Sequence, residues 1–196
     1  MVIDLKRCIG CYGCVIACKE EHGTPPGIFF TRVYDEESGT FPRVKKRFIP
    51  VLCNHCQNAP CEQVCPTGAT YRTAEGAVLV DARKCIGCRY CFVACPYNNR
   101  LFVKKGLLNG YFGEPTPFEE VKYRGYVEGT VVKCTFCSHR VRDGRMPACV
   151  EACLAGARVF GDLDDSESEV SRLVLERNGY QPQAELGTDP SVYYLD

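Results

Sequence analysis

The stretch Cys85-Ile86-Gly87-Cys88-Arg89-Tyr90-Cys91-Phe92-Val93-Ala94-Cys95-Pro96 decides the fold, because it places three thiols within seven residues and a fourth four positions on. The spacing C-x2-C-x2-C-x3-C-P is that of a loop whose first three thiolates hold one 4Fe-4S cluster while the fourth reaches a neighbouring one. Two intervening residues let a tight loop follow one cube face, and Gly87 is expected to let the backbone approach the cluster without a Cβ in the way. The x3 step carries the chain about one helical turn further, aiming Cys95 at a different centre.

All 16 cysteines fall into four such runs of four: Cys8, Cys11, Cys14, Cys18; Cys53, Cys56, Cys61, Cys65; Cys85, Cys88, Cys91, Cys95; and Cys134, Cys137, Cys149, Cys153. A disulfide framework has no reason to group thiols in fours. Structural zinc favours two separated C-x2-4-C knuckles over three thiols in seven residues. Four 4Fe-4S clusters remain, each expected to hold four irons, and no thiol is left over.

Lys+Arg and Asp+Glu balance at 24 each, but a cluster with four thiolates carries about −2, so the loaded chain is expected near −8. That correction leaves no basic face for nucleic acid. No apolar run approaches the roughly 20 residues of a membrane span. Met1 leads straight into Val2-Ile3-Asp4 and the first run, so no signal peptide is expected.

The runs repeat. Val2 to Cys11 matches Leu79 to Cys88, with Asp4 and Asp81 four positions before the first cysteine and Ala17 and Ala94 before the last. Cys53 and Cys56 correspond to Cys134 and Cys137; Cys61, Cys65, Gly68 and Ala69 correspond to Cys149, Cys153, Gly156 and Ala157, after one inserted loop from Ser138 to Met146. Duplication of a two-cluster unit is the simplest account. Short apolar runs at Ile49 to Leu52, Val78 to Val80 and Val131-Val132 predict strands, and Cys14 to Cys18 and Cys91 to Cys95 predict short helices. The expected class is α+β, with two duplicated ferredoxin-like two-cluster domains, loop-rich, whose thin apolar core leans on cluster ligation.

Three stretches lie outside the repeats. Residues 19–47 are expected to form a connecting loop with a hairpin. Residues 97–130 and the lead into the fourth run are rich in Gly, Tyr and Phe, and read equally as a surface loop or a partner-docking surface. In the tail, Ser166 with Glu169 predicts a capping box, Val170, Leu173 and Val174 an apolar stripe, and Gly179 the helix end, followed by an extended arm from Gly187.

The four spacings, with Cys53-Asn54-His55-Cys56, Cys65-Pro66-Thr67-Gly68-Ala69, Lys133-Cys134-Thr135-Phe136-Cys137, Pro147-Ala148-Cys149-Val150-Glu151 and Phe160-Gly161-Asp162-Leu163-Asp164-Asp165, resemble the iron-sulfur subunits of the dimethyl sulfoxide reductase superfamily of molybdopterin oxidoreductases. The likeness is to the polysulfide, thiosulfate and respiratory arsenate reductase branch and spans nearly the whole chain. Leu154 departs from it, where proline commonly follows the last cysteine. The resemblance implies a separate catalytic subunit with a molybdenum or tungsten bis-pterin centre and a membrane subunit that exchanges electrons with quinone. This chain would carry electrons between them and would catalyse nothing alone; no Rossmann, P-loop or nucleophile pattern appears. It also implies export with the catalytic subunit to the outer face of the cytoplasmic membrane, with the cytoplasm as the alternative. Competing classes are the electron-transfer subunit of a formate dehydrogenase or hydrogenase complex, and a free polyferredoxin.

Because the fourth cysteine of each run crosses to a partner cluster, and the second and third runs lie close together, Cys95 is expected to complete Cys53, Cys56 and Cys61, and Cys65 to complete Cys85, Cys88 and Cys91. Cys153 is then expected to complete Cys8, Cys11 and Cys14, and Cys18 to complete Cys134, Cys137 and Cys149. The domains follow: 1–52 with 131–163, 53–96 inserted between, 97–130 as a partner-contacting insertion, and 164–196 as a helix and docking tail. By resemblance, the cluster on Cys8, Cys11 and Cys14 adjoins the catalytic subunit and the one on Cys53, Cys56 and Cys61 lies farthest away. His55 and His139, beside cluster loops, are candidates for bonding to sulfur, with a plain loop role as the alternative; His22 has no assigned part. Arg7, Lys84, Arg89 and Lys133 either offset cluster charge or lie in solvent.

Overall fold

The third run shows how the chain is built: its helix cannot be long, because Pro96 disfavours helical geometry at the residue before it. In the computed structural model, which describes residues 1–196, the helix stops at Ala94 and Cys95 is extended, with φ −80° and ψ 109°. The first run has no proline after Cys18, so its helix continues to His22 and closes on Gly23 in the left-handed region.

The elements in order are β1 (Val2–Asp4), α1 (Gly13–His22), β2 (Thr31–Ser38), β3 (Lys45–Leu52), α2 (Pro60–Gln63), β4 (Thr70–Arg72), β5 (Val78–Val80), α3 (Tyr90–Ala94), β6 (Leu101–Phe102), α4 (Pro117–Tyr123), β7 (Val131–Val132), α5 (Ser138–Arg142), α6 (Ala148–Glu151), β8 (Arg158–Val159), α7 (Glu169–Glu176) and β9 (Tyr193–Leu195). They form one three-stranded sheet, β8-β1-β9, and three two-stranded pairs, β2-β3, β4-β5 and β6-β7. The class is α+β and loop-rich.

Residues 19–47 contain the expected hairpin, with β2 and β3 paired antiparallel over Thr31↔Leu52 to Ser38↔Lys45, and α1 occupies their start. Residues 97–130 include α4, whose capping box joins Thr116 and Glu119. This segment straps onto α1, with Lys122 Nζ donating to Glu21 O at 2.7 Å and Tyr126 Oη to His22 O at 3.0 Å. Phe112, Phe118 and Val121 stay exposed on it.

The tail departs from its expected form twice. The cap of α7 is Ser168, whose hydroxyl accepts from Ser171 N–H, and not Ser166. The arm is extended, but β9 pairs parallel with β1, and Val192, Tyr194 and Leu195 are buried. The continuous apolar run Val192-Tyr193-Tyr194-Leu195 buries more surface as a strand of this sheet than it would as a free docking tail. On its way the tail grips the second run: Gln57 N–H donates to Asp189 O and Ser191 Oγ to His55 O.

Three apolar cores result, the smallest being Val2, Val170 and Leu195. One of 15 buried residues runs from Met1, Ile3 and Leu5 through Leu52 and Cys53 to Cys134, Phe136 and Cys149. Another has six: Cys56, Ala59, Cys61, Val78, Cys91 and Val131.

Candidate metal centres

The cysteine loops turn on residues with positive φ at matching places: Gly10 and Gly87 (68° and 71°), Tyr12 and Arg89 (59° and 62°), His55 and Phe136 (45° and 52°). Left-handed backbone curls three successive thiols toward one side. Gly87 meets a constraint besides the expected one. A Cβ there would lie 2.0 Å from the carbonyl oxygen of Gly129, so the glycine also admits the insertion's backbone at this turn.

The structure brings the cysteines together across runs. Cys8, Cys11, Cys14 and Cys153 line one cavity of about 350 Å³ counting its mouth. Cys53, Cys56, Cys61 and Cys95 line a second of about 340 Å³. Cys65, Cys85, Cys88 and Cys91 line a third of about 310 Å³. Cys18 meets Cys134, Cys149 and Cys137 in the interior; burial and then these three thiols push its own thiol far up. We refer to these as the first, second, third and fourth sets.

The sets stand in a row. Cys14 of the first set lies near Cys149 of the fourth, Cys134 of the fourth near Cys53 of the second, and Cys61 of the second near Cys91 of the third, each pair close enough to affect ionisation. The order is therefore first, fourth, second, third. This corrects the expectation that the second set lies farthest from the first. Cys53 directly follows β3, inside the larger core, so the second set is held against the fourth and the third set takes the end. Each end set has one exposed cysteine, Cys11 and Cys88.

The histidines are also reassigned. His55 is fully buried, accepts from Val78 N–H at Nδ1 (3.1 Å) and stacks on Phe136 with centroids 3.7 Å apart, between the second and fourth sets. Burial, then the charges of Lys133 and Arg100, hold it neutral. His139 binds Glu21 at 2.7 Å. The histidine touching sulfur is His22, with Nε2 3.3 Å from Cys137 Sγ; α1 carries it there from 115 residues away, which no local spacing announces. Backbone N–H groups of Thr70, Phe136 and Ala157 donate to Cys65, Cys134 and Cys153 at 3.2–3.4 Å.

Two arginines escaped sequence analysis. Arg100 and Arg158 are buried, and each lies five residues after the last cysteine of its run, a spacing that was legible. Arg100 donates to Cys61 Sγ (2.7 Å) and Thr70 Oγ1 (3.1 Å). Arg158 donates to Cys149 Sγ (3.6 Å) and Thr31 Oγ1 (2.8 Å). Burial works to discharge Arg100, but Cys61, Cys53 and Cys91 outweigh it and raise its pKa. Lys133 is buried too, while Arg7, Lys84 and Arg89 are exposed.

The donor sets fit 4Fe-4S clusters. In the first, second and third sets the four thiols surround a volume. Burial lifts Cys56 and Cys137 to about 11, so the protein spends nothing on ionising these thiols until metal binds and displaces their protons. Buried guanidinium groups without carboxylates call for buried negative charge, which iron-bound thiolates provide.

Two 4Fe-4S dicluster domain families match the chain, one over residues 44–107 and 113–163 and the other over 7–69. A Halobacterium salinarum protein provisionally named as a dimethyl sulfoxide reductase iron-sulfur subunit is 45% identical, aligned over 100% of this chain and 78% of its own length. A selenate reductase subunit of Mesobacillus selenatarsenatis is 43% identical over 100% and 70%. The arsenate respiratory reductase iron-sulfur subunit of a Shewanella species is 42% identical over 100% and 94%.

Proposed function

From the premise that this chain belongs to the 4Fe-4S dicluster family of reductase iron-sulfur subunits, we propose that it carries electrons between a molybdenum or tungsten bis-pterin catalytic subunit and a quinone-linked membrane subunit. It holds four 4Fe-4S clusters and is not an enzyme by itself. When bound, each cluster supplies a one-electron couple. The chain's residues hold these couples in a row, shield them from water and charge-balance them. The observation that carries this reading is the row itself, four neighbouring cysteine sets from an exposed Cys11 to an exposed Cys88. By this reading the first set faces the catalytic subunit and the third the membrane partner.

In each set three thiolates of one run and the crossing cysteine of another are the ligands. Cys18→Ser tests this. The fourth-set cluster should be altered while the first-set cluster keeps four thiolates and the unsubstituted chain holds about 16 irons. An altered first-set spectrum with the fourth intact would overturn the crossed ligation and the domain pairing of 1–52 with 131–163 around 53–96. For location, the reading is the outer face of the cytoplasmic membrane by co-export with the catalytic subunit. A co-purifying catalytic partner without an export signal would reverse it.

A further inference from the structure

Three side-chain cations are buried in this protein without a carboxylate: Arg100, Lys133 and Arg158, with 2%, 3% and 3% of their surface exposed. None belongs to an ion pair. A buried unpaired charge costs several kcal/mol in ordinary protein, so three of them imply a common counter-charge.

Their placement follows the row of cysteine sets. Arg158 stands between the first and fourth sets, bonded to Cys149 and acting on Cys14. Lys133 stands between the fourth and second, its Nζ 2.7 Å from Cys134 O, acting on Cys134 and on His55 between Cys53 and Cys56. Arg100 stands between the second and third, bonded to Cys61 and acting on Cys91. Each of the three junctions holds one cation. The two arginines also bond equivalent ligands, since Cys61 and Cys149 are the third cysteines of corresponding runs.

We infer that Arg158, Lys133 and Arg100 are positioning residues that raise the reduction potentials of the clusters on either side of each junction. Reduction adds an electron to an already anionic cluster. A cation held nearby in a water-poor interior stabilises the reduced form, and the effect falls with distance. The inner sets, fourth and second, each adjoin two of the cations and are the more buried, so the cations offset the desolvation that would otherwise make them the hardest to reduce.

The inference rests on the ligation proposed above, and the test separates the two. Potentiometric titration of the full chain, followed by electron paramagnetic resonance, resolves the cluster couples. Arg100→Gln keeps a hydrogen-bond donor and removes the charge. It should lower two couples, the larger shift being at least tenfold in the oxidised-to-reduced ratio at fixed potential, or 59 mV for one electron. Arg158→Gln should lower the other two, and Lys133→Gln one from each pair. Arg100→Lys should keep all four within threefold of the unsubstituted chain. Unmoved couples, all four moving together, or Arg100→Lys falling as far as Arg100→Gln would overturn the inference while an iron content of 16 leaves the ligation standing. Fewer irons in the unsubstituted chain would sink the ligation itself. Iron lost in Arg100→Gln and regained in Arg100→Lys would support the counter-charge; iron lost in both would overturn it.

Discussion

By the proposed ligation, two two-cluster units are closed in different ways in this molecule. The unit of the second and third sets is drawn from residues 53–96, and its strands β4 and β5 are joined by a short local hairpin, Thr70↔Val80 to Arg72↔Val78. The unit of the first and fourth sets is drawn from both ends of the chain. Its corresponding strands, β1 and β8, pair Val2 with Val159, and β9 adds a third strand on the other side. Bringing distant segments together costs more loop entropy than a hairpin does. The end-built unit offsets it with most of the 15-residue core, to which the local unit adds only Cys53, whereas the local unit centres on the six-residue core, of which three are cysteines and one, Val131, comes from outside it. Local closure lets a unit survive on ligation, whereas distant closure demands apolar burial as well.

Iron removal should break the two units apart most visibly. Under anaerobic chelation, hydrogen exchange should report loss of protection across 53–96 first, with the β8-β1-β9 sheet protected longer, because the local unit loses the metal that cross-links its thiolates and keeps almost no core. A sheet that opens before β4-β5 would contradict the comparison.

Leu195→Ala should come next. Its side chain is 1% exposed and packs with Val2 and Val170, so its truncation should cost about 2–5 kcal/mol. Denaturation of the iron-loaded chain should show that loss, with exchange rising in β1 and not in β5.

A smaller effect belongs to Glu21, at the end of α1. Burial raises its pKa, but hydrogen bonds from His139 and Arg140 outweigh that and hold the carboxyl at about 2. The folded pKa lies below the ordinary 4.5, so Glu21 stabilises fully above about 4.5 and its contribution disappears as pH falls toward about 2. Glu21→Gln should therefore cost about 1.5–3 kcal/mol at neutral pH. Denaturation of the iron-loaded chain at neutral pH, where the acid-labile clusters stay intact, should show that loss.

The smallest effect is expected at the exposed end of the β2-β3 hairpin, away from Val33 and Pro50, which line the first cavity. Arg47 meets Glu36 at 2.9 Å in solvent, and Arg47→Ala should cost about 0.2–1 kcal/mol, a difference erased by high salt in a thermal melt.

Sequence reading reached what is local. Cysteine spacing is dictated by the size of the group the thiols surround, so the four runs, their turns at Gly10 and Gly87, and the short strands at Val78–Val80 and Val131–Val132 were legible without coordinates. The fate of the tail was not, because β9 reads as an extended arm until β1 is there to pair with it. Nor was the part played by His22, which reaches Cys137 only because α1 runs one turn past Cys18.

The number and kind of thiols, their grouping and the class of fold were thus determined by the sequence itself, since each depends on residues a few positions apart. The order of the four sets, the burial of Arg100, Lys133 and Arg158 at their junctions, and the closure of the chain's ends were decided only by the tertiary structure. They depend on which surfaces exclude water together, and Cys53 meets Cys134 through a shared core that no spacing along the chain encodes.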